Sequence, residues 1–226
     1  MILNGFVRNL ESMYKTEYKE WNDVGLALDE PFMKASVINN IMMLHTVHGV
    51  DISDMCTKGQ LISKKWLRDN FPENELVNSP HVLICGGWYG MNAAVLSDKF
   101  SGNYSITSID IDKNTVDRGN ALNAEMFREG RYCSLYADMN GYDYRWTDLV
   151  INTSCEHVKN LSEWFKQIED GTMVILQSNN NHSINDHVNC VNSPEELLSQ
   201  CPLNECLYQG ILSLPDYERF MVIGFK

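Results

Sequence analysis

The sequence predicts an α/β fold built on a mostly parallel seven-stranded sheet, and three observations carry that prediction. From His81 onward short apolar runs alternate with helix-compatible segments; the first run ends in a glycine turn; and the last two runs flank Pro215-Asp216. Strands are expected over 82–85, 104–109, 132–136, 148–152 and 173–177, each rich in Val, Ile, Leu or Tyr. Helices fit between them over 91–99, 114–129 and 161–168. The runs 206–214 and 219–225 read as two strands joined by a tight turn, an antiparallel hairpin closing the sheet.

The chain before this pattern reads as helical up to about Phe71. Phe6, Leu10, Met13, Tyr14, Tyr18 and Trp21 recur at three- and four-residue steps, as one face of an amphipathic helix requires. Glu30-Pro31 then marks a helix start with proline in the first turn, and Phe32, Ala35, Val37, Ile38, Ile41 and Leu44 continue to a stop near Gly49. A third helix is expected over 61–67. No Gly/Ser linker separates these helices from the alternating strands and helices, so residues 1–75 are expected to form a helical cap packed on a ligand-binding domain, 76–226.

The 226 residues carry 18 Lys+Arg against 30 Asp+Glu, a formal net charge of -12. Such a surface repels phosphate backbones and anionic lipid, so neither a nucleic acid nor a membrane is the expected partner; a small molecule is. The seven cysteines are odd in number and include no CxxC pair, which argues against a complete disulfide framework and against a zinc finger. No stretch approaches the ~20 apolar residues of a membrane span, and the N-terminus alternates polar with apolar too early for a signal peptide. The expected location is cytoplasmic.

The chemistry is concentrated in VLICGGWYG, Val82 to Gly90, and SIDID, Ser108 to Asp112. Backbone N–H groups at a glycine turn between strand and helix favour a nucleotide-like ligand, and a carboxylate ending the next strand can accept hydrogen bonds from ribose hydroxyls. Gly86 and Asp110 stand 24 positions apart, close to the roughly 20 expected for that pair. Gly86, Gly87 and Gly90 do not form GxGxxG, so the dinucleotide fingerprint fails. Asp112 is a second candidate at the ribose, and either carboxylate could instead cap the following helix.

Four blocks in order give the chain a resemblance to the class I S-adenosylmethionine-dependent methyltransferases, over roughly 82–226. VLICGGWYG stands at that family's glycine motif, SIDID at its second-strand acid, YADM (Tyr136 to Met139) at its adenine-contacting motif, and DLVINTSCEHV (Asp148 to Val158) at its fourth strand. The resemblance implies a Rossmann-like fold, S-adenosylmethionine as cofactor, and methyl transfer to O or N of a small molecule or protein side chain. It implies that Gly86, Gly87 and Gly90 admit the methionine part, Asp110 and Ile111 hold the ribose side, Asp138 and Met139 meet the adenine, and Asn152 ends the fourth strand beside the cofactor. Trp88, at the family's usual middle glycine, would change how the methionine tail is held.

Glu156 and His157 follow the fourth strand at the carboxyl edge, where open α/β sheets place ligands. Either could serve as general base or orient the acceptor, and either could cap or pack against the next helix. His182 lies on the polar segment QSNNNHSINDHVNC after the fifth strand and is expected to converge with them. His182, Asp186 and His187 match no strong metal-ligand motif with Glu156 or His157, and no metal is expected. Two other readings stand beside methyl transfer: an S-adenosylmethionine-binding protein without activity, and an NAD-dependent oxidoreductase, which the failed fingerprint and closing hairpin disfavour.

Overall fold

The computed structural model describes residues 34–226. The helix expected over 6–21 and the expected helix start at Glu30-Pro31 lie outside the described residues. Strands β1 (His81–Cys85), β2 (Ser105–Asp110), β3 (Tyr132–Tyr136), β4 (Leu149–Asn152), β5 (Met173–Asn179), β6 (Glu205–Ser213) and β7 (Glu218–Phe225) form one sheet in the order β3-β2-β1-β4-β5-β7-β6. The first five run parallel, and β7 is antiparallel to both β5 and β6. The α/β, mostly parallel sheet with a closing hairpin is thus the observed one.

The hairpin enters the sheet second strand first. β7 lies between β5 and β6 and is buried from Arg219 to Gly224, whereas β6 forms a half-exposed edge. This order pairs Arg219 with Asn179 at the end of β5, carrying an arginine to the carboxyl edge of the parallel strands. The strand order reverses beside β1, which pairs with β2 on one side and β4 on the other, so a crevice opens past the end of β1.

Alternation along the strands feeds two helical layers. Val82, Ile84, Ile106, Ile151 and Ile175 face one layer, made of α1 (Ala35–Thr46), α2 (Lys58–Asp69), α3 (Met91–Leu96), α4 (Thr115–Leu122) and α5 (Ala124–Arg128). Leu83, Cys85, Val150, Val174 and Leu176 face the other, made of α6 (Leu161–Phe165) and α7 (Pro194–Gln200). Trp164 of α6 is fully buried, and its indole N–H donates to the Tyr144 hydroxyl at 2.7 Å. Among the described residues no helix is long and apolar enough to cross a membrane.

The described N-terminal helices share a continuous core with the sheet. Asn40 of α1 donates to the Leu122 carbonyl at 2.9 Å, where α4 ends. In α2, capped by the Thr57 hydroxyl accepting from the Gln60 amide, Arg68 binds the Val95 carbonyl and the Asp98 carboxylate, and Trp66 donates to the Tyr208 hydroxyl at 3.1 Å. Gly59 of α2 lies against the β6–β7 turn: a Cβ there would stand 3.1 Å from the Tyr217 hydroxyl.

Two helical details depart from expectation. The helix expected over 114–129 is two, because Asn123 leaves helical geometry at φ -100 and ψ 31 while its side-chain amide donates to the Gly90 and Gly119 carbonyls, both at 3.1 Å. That bond ties the break to the glycine turn. Helix α7 was not expected, although Ser193-Pro194-Glu195-Glu196 carries its start signal: the Ser193 hydroxyl accepts from the Glu196 amide at 3.2 Å and Pro194 opens the first turn.

Candidate functional site

The turn leaving β1 is built from left-handed residues. Gly86 has φ +60, Trp88 φ +46 and Gly90 φ +73 before α3 begins. Gly87 is required for space instead: a Cβ there would fall 1.9 Å from the Ser108 hydroxyl of β2, against which the Gly87 amide bonds to the Ile109 carbonyl at 3.0 Å. At Gly86, an exposed residue, a Cβ would meet the Ser154 Cβ at 3.8 Å, ordinary van der Waals contact, so the left-handed φ rather than space requires glycine there. Trp88 is a non-glycine residue in a glycine conformation. Its indole stacks on Tyr89 with centroids 4.4 Å apart, and Arg118 clamps Tyr89 through a 2.6 Å bond to its hydroxyl.

At the end of β2, the Asp110 carboxylate accepts from the Trp88 amide at 2.9 Å and, through its other oxygen, from the Asp112 amide at 2.8 Å. Each carboxylate oxygen has two lone-pair sites, so both retain an acceptor position. Asp112 instead turns back on Asn114, accepting from its amide and side chain at 2.9 and 2.8 Å. Ile111 is 73% exposed beside Asp110. One strand over, Asp138 is exposed and accepts from the Asn140 amide at 2.8 Å, while Met139 is half-buried with its sulfur 3.7 Å from the Asn152 side-chain amide. Asn152, buried at the end of β4, accepts from the Ser154 amide at 2.9 Å.

Past β4 a short helical turn, Cys155–His157, delivers the acidic and imidazole groups. Glu156 is 2% exposed; its Oε1 accepts from Asn179 at 2.6 Å and from Arg219 at 3.3 Å, and its buried Oε2 has no partner. Arg219, also buried, donates to the Thr153 carbonyl at 3.2 Å and to Gln177 at 3.3 Å, with its Nε unpartnered. Asn92 of α3 completes this floor by donating to the Thr153 hydroxyl at 3.0 Å. Lys64 of α2 is buried and donates to Gln60 at 2.7 Å; burial, then the charge of Arg219, bring its ammonium down to about 7. Cys155 is fully buried, and burial pushes its thiol well above the ordinary range.

His157 is exposed and donates through Nδ1 to the Asp186 carbonyl at 3.1 Å, with the Asp186 carboxylate 3.3 Å from the same nitrogen. Its ring meets that of His187 edge-on, centroids 4.7 Å apart. Glu156 and His157 are therefore brought together with His187; His182, five residues earlier on the same loop, is exposed and outside that group.

Solved structures of the same shape include a putative sarcosine dimethylglycine methyltransferase from Galdieria sulphuraria, with TM-score 0.60 and 13% identity over 83% of this chain and 97% of that one. Magnesium protoporphyrin IX methyltransferase from Synechocystis PCC 6803 with bound SAH gives 0.56 and 11%, over 84% and 99%. Geranyl diphosphate methyltransferase in complex with GPP and sinefungin gives 0.54 and 12%, over 73% and 78%. The fold is that of the class I S-adenosylmethionine-dependent methyltransferases. No family model matches the chain, and no curated protein matches its sequence.

Within the methyltransferase fold, Gly86, Gly87, Trp88, Gly90 and Asp110 are contiguous around one turn, with Ile111, Asp138, Met139 and Asn152 along the adjoining strand ends. Sequence reading missed Arg219 and Lys64 at the far side of the same edge. Each left a signal: Arg219 opens the apolar run FMVIGF, and Lys64 sits at three-residue spacing between the buried Leu61 and Leu67. A cavity of about 520 Å³ between the loop 70–75 and Leu207, Tyr208 and Ile223 lies toward the opposite end of β7 from Arg219 and takes no part in this site.

Proposed function

We propose that the chain is an S-adenosylmethionine-dependent methyltransferase acting on an oxygen or nitrogen of a small molecule or a protein side chain. The observation that carries this reading is Asp110, held against the glycine turn by the Trp88 amide with free acceptor positions left and the exposed Ile111 beside it. The residues fit the cofactor. Asp110 supplies acceptors for ribose hydroxyls, Ile111 and Met139 supply apolar surface to a purine, and the exposed Gly86, without a side chain, admits the methionine part.

When bound, that cofactor supplies a methyl group on a positively charged sulfur, already electrophilic. The work left to this chain is alignment of the acceptor and removal of its proton where it carries one. In this reading His157, exposed with Nε2 free of its Nδ1 bond, takes that proton, and Glu156 Oε2 orients the acceptor. His182 stands at the outer rim of the same loop. Residues 1–75 act as a cap on the domain 76–226, which the placement of Gly59 and Lys64 beside Tyr217 and Arg219 supports. The net charge of -12 supports a small acceptor over a nucleic acid.

Trp88 favours a second reading, a cofactor-binding protein without turnover, because its indole occupies the place of a side-chain-free residue. Calorimetry with S-adenosylmethionine and NAD, followed by incubation with methyl-labelled cofactor and small-molecule extracts, separates the readings. Binding of S-adenosylmethionine and formation of S-adenosylhomocysteine is the expected result; NAD binding alone would overturn both readings, and binding without transfer would favour the second.

A further inference from the structure

We infer that Glu156, His157 and His187 form a divalent metal site at the acceptor side of the sheet edge. One ligand-type atom from each lies within 4.8 Å of the others. The three residues come from two segments, the turn after β4 and the loop after β5, which is why no local ligand motif announces them.

The hydrogen bonds around the cluster sort the ligand atoms. The Asn181 carbonyl, 2.9 Å from His187 Nδ1, can only accept, so Nδ1 carries the proton and Nε2 keeps its lone pair. The Asp186 carbonyl does the same for His157 at 3.1 Å. Imidazoles that bind metals are oriented in this way, with the second ring nitrogen donating to a carbonyl or carboxylate. Glu156 has its Oε1 engaged by Asn179 and Arg219, and its Oε2, buried and without a partner, is the orphan in the group. A buried carboxylate oxygen left unpaired is costly, and a cation offsets that cost.

Two imidazoles and one carboxylate suit zinc and related first-row divalent ions, with further coordination positions open. Atoms bound at 2.0–2.2 Å to a tetrahedral ion stand ~3.4 Å apart, so the cluster must close slightly. His157, whose side chain is 40% exposed, has room to do so. The open positions would take an oxygen or nitrogen of the acceptor, lowering the affinity of that atom for its proton. With an ion bound, His157 Nε2 and Glu156 Oε2 would be ligands and no longer base and acceptor contact, and the ion would take over activation of the acceptor, whose proton would pass to solvent. The site goes beyond the methyl-transfer reading, and metal binding does not require the cofactor, so either can fail alone.

The test uses the full chain, stripped with a chelator and titrated without cofactor. Co²⁺ is followed by its visible absorption, and Zn²⁺ by competition. One equivalent is expected to bind, and His187→Ala and His157→Ala are each expected to weaken Zn²⁺ by about 100-fold or more, at or beyond the upper end of the 10- to 100-fold typical of losing an outer-shell partner. His81→Ala, at the amino end of β1, should leave binding unchanged. Absence of saturable one-equivalent binding, parental affinity in both cluster variants, or equal weakening by His81→Ala would each overturn the site.

Discussion

The Trp88 amide donates to the Asp110 carboxylate across 2.9 Å, tying the left-handed turn after β1 to the end of β2. In the proposed reading the same carboxylate is the ribose acceptor, so one side chain would both shape the turn and meet the ligand. Asp110→Ala is expected to weaken S-adenosylmethionine and S-adenosylhomocysteine together by roughly 1.5–3 kcal/mol, the range for hydrogen bonds to charged groups. Calorimetry on a variant with parental circular dichroism checks it. Equal affinity for both ligands in variant and parent would remove Asp110 from the cofactor site.

Trp88 sets backbone strain against packing. Its φ of +46 costs about 1–2 kcal/mol for an L-residue, a cost glycine avoids. Against that, the half-buried indole packs on the core and stacks on Tyr89, together on the order of 2–4 kcal/mol. Packing wins, so Trp88→Gly is expected to lower stability by about 1–2 kcal/mol in urea denaturation. A raised denaturation midpoint would reverse that order.

The sheet was legible because its strands are continuous apolar runs bounded by Gly, Pro or Asp, and because burial on both faces leaves such runs little choice. Single residues moved the ends: β5 runs on to Asn179 because β7 pairs with it as far as Arg219, a long-range contact absent from the local pattern. The glycine turn was legible as a turn between strand and helix, but the reason for two of its glycines was not: Gly87 and Gly90 make room for Ser108, and for Tyr132 and Asn123, contacts that the local sequence does not carry. The acceptor side was legible only in part. Glu156 and His157 are adjacent in sequence, but Arg219 and His187 reach them, and Lys64 reaches Arg219, only through tertiary packing, and a lysine at a core position of α2 reads locally as a surface residue.

Glu156 and Arg219 form a buried pair, with side chains 3% and 6% exposed and N to O at 3.3 Å. Removing one partner from such a pair leaves an uncompensated charge and costs about 3–5 kcal/mol, while removing both is far milder. Arg219→Met alone is therefore expected to destabilise by that amount, and the double change Glu156→Gln with Arg219→Met to recover more than half of it. Denaturant titration of the full cycle checks the coupling. Additive losses would mean that the two side chains do not share their burial cost.

Lys64 gives the chain a pH dependence of definite sign. Burial first, and then the neighbouring charge of Arg219, bring its ammonium from the ordinary 10.5 down to about 7. Between those values the unfolded chain holds the proton and the folded chain has lost it, so this group makes stability rise with pH from 7 upward. Below pH 7 both states are protonated and the slope disappears. Cys56, which shares this pocket, works oppositely: burial raises its thiol from 9.0 to about 11, so stability falls as pH rises between those values. The clean window is therefore pH 7 to 9. Across it the parental protein is expected to gain about 1–3 kcal/mol relative to Lys64→Met, because each unit of unequal protonation is worth up to ~1.4 kcal/mol. Urea titrations of both proteins at pH 6, 7, 8 and 9 measure the difference directly. A constant gap between the two curves would show that Lys64 keeps its proton in the folded chain across this range.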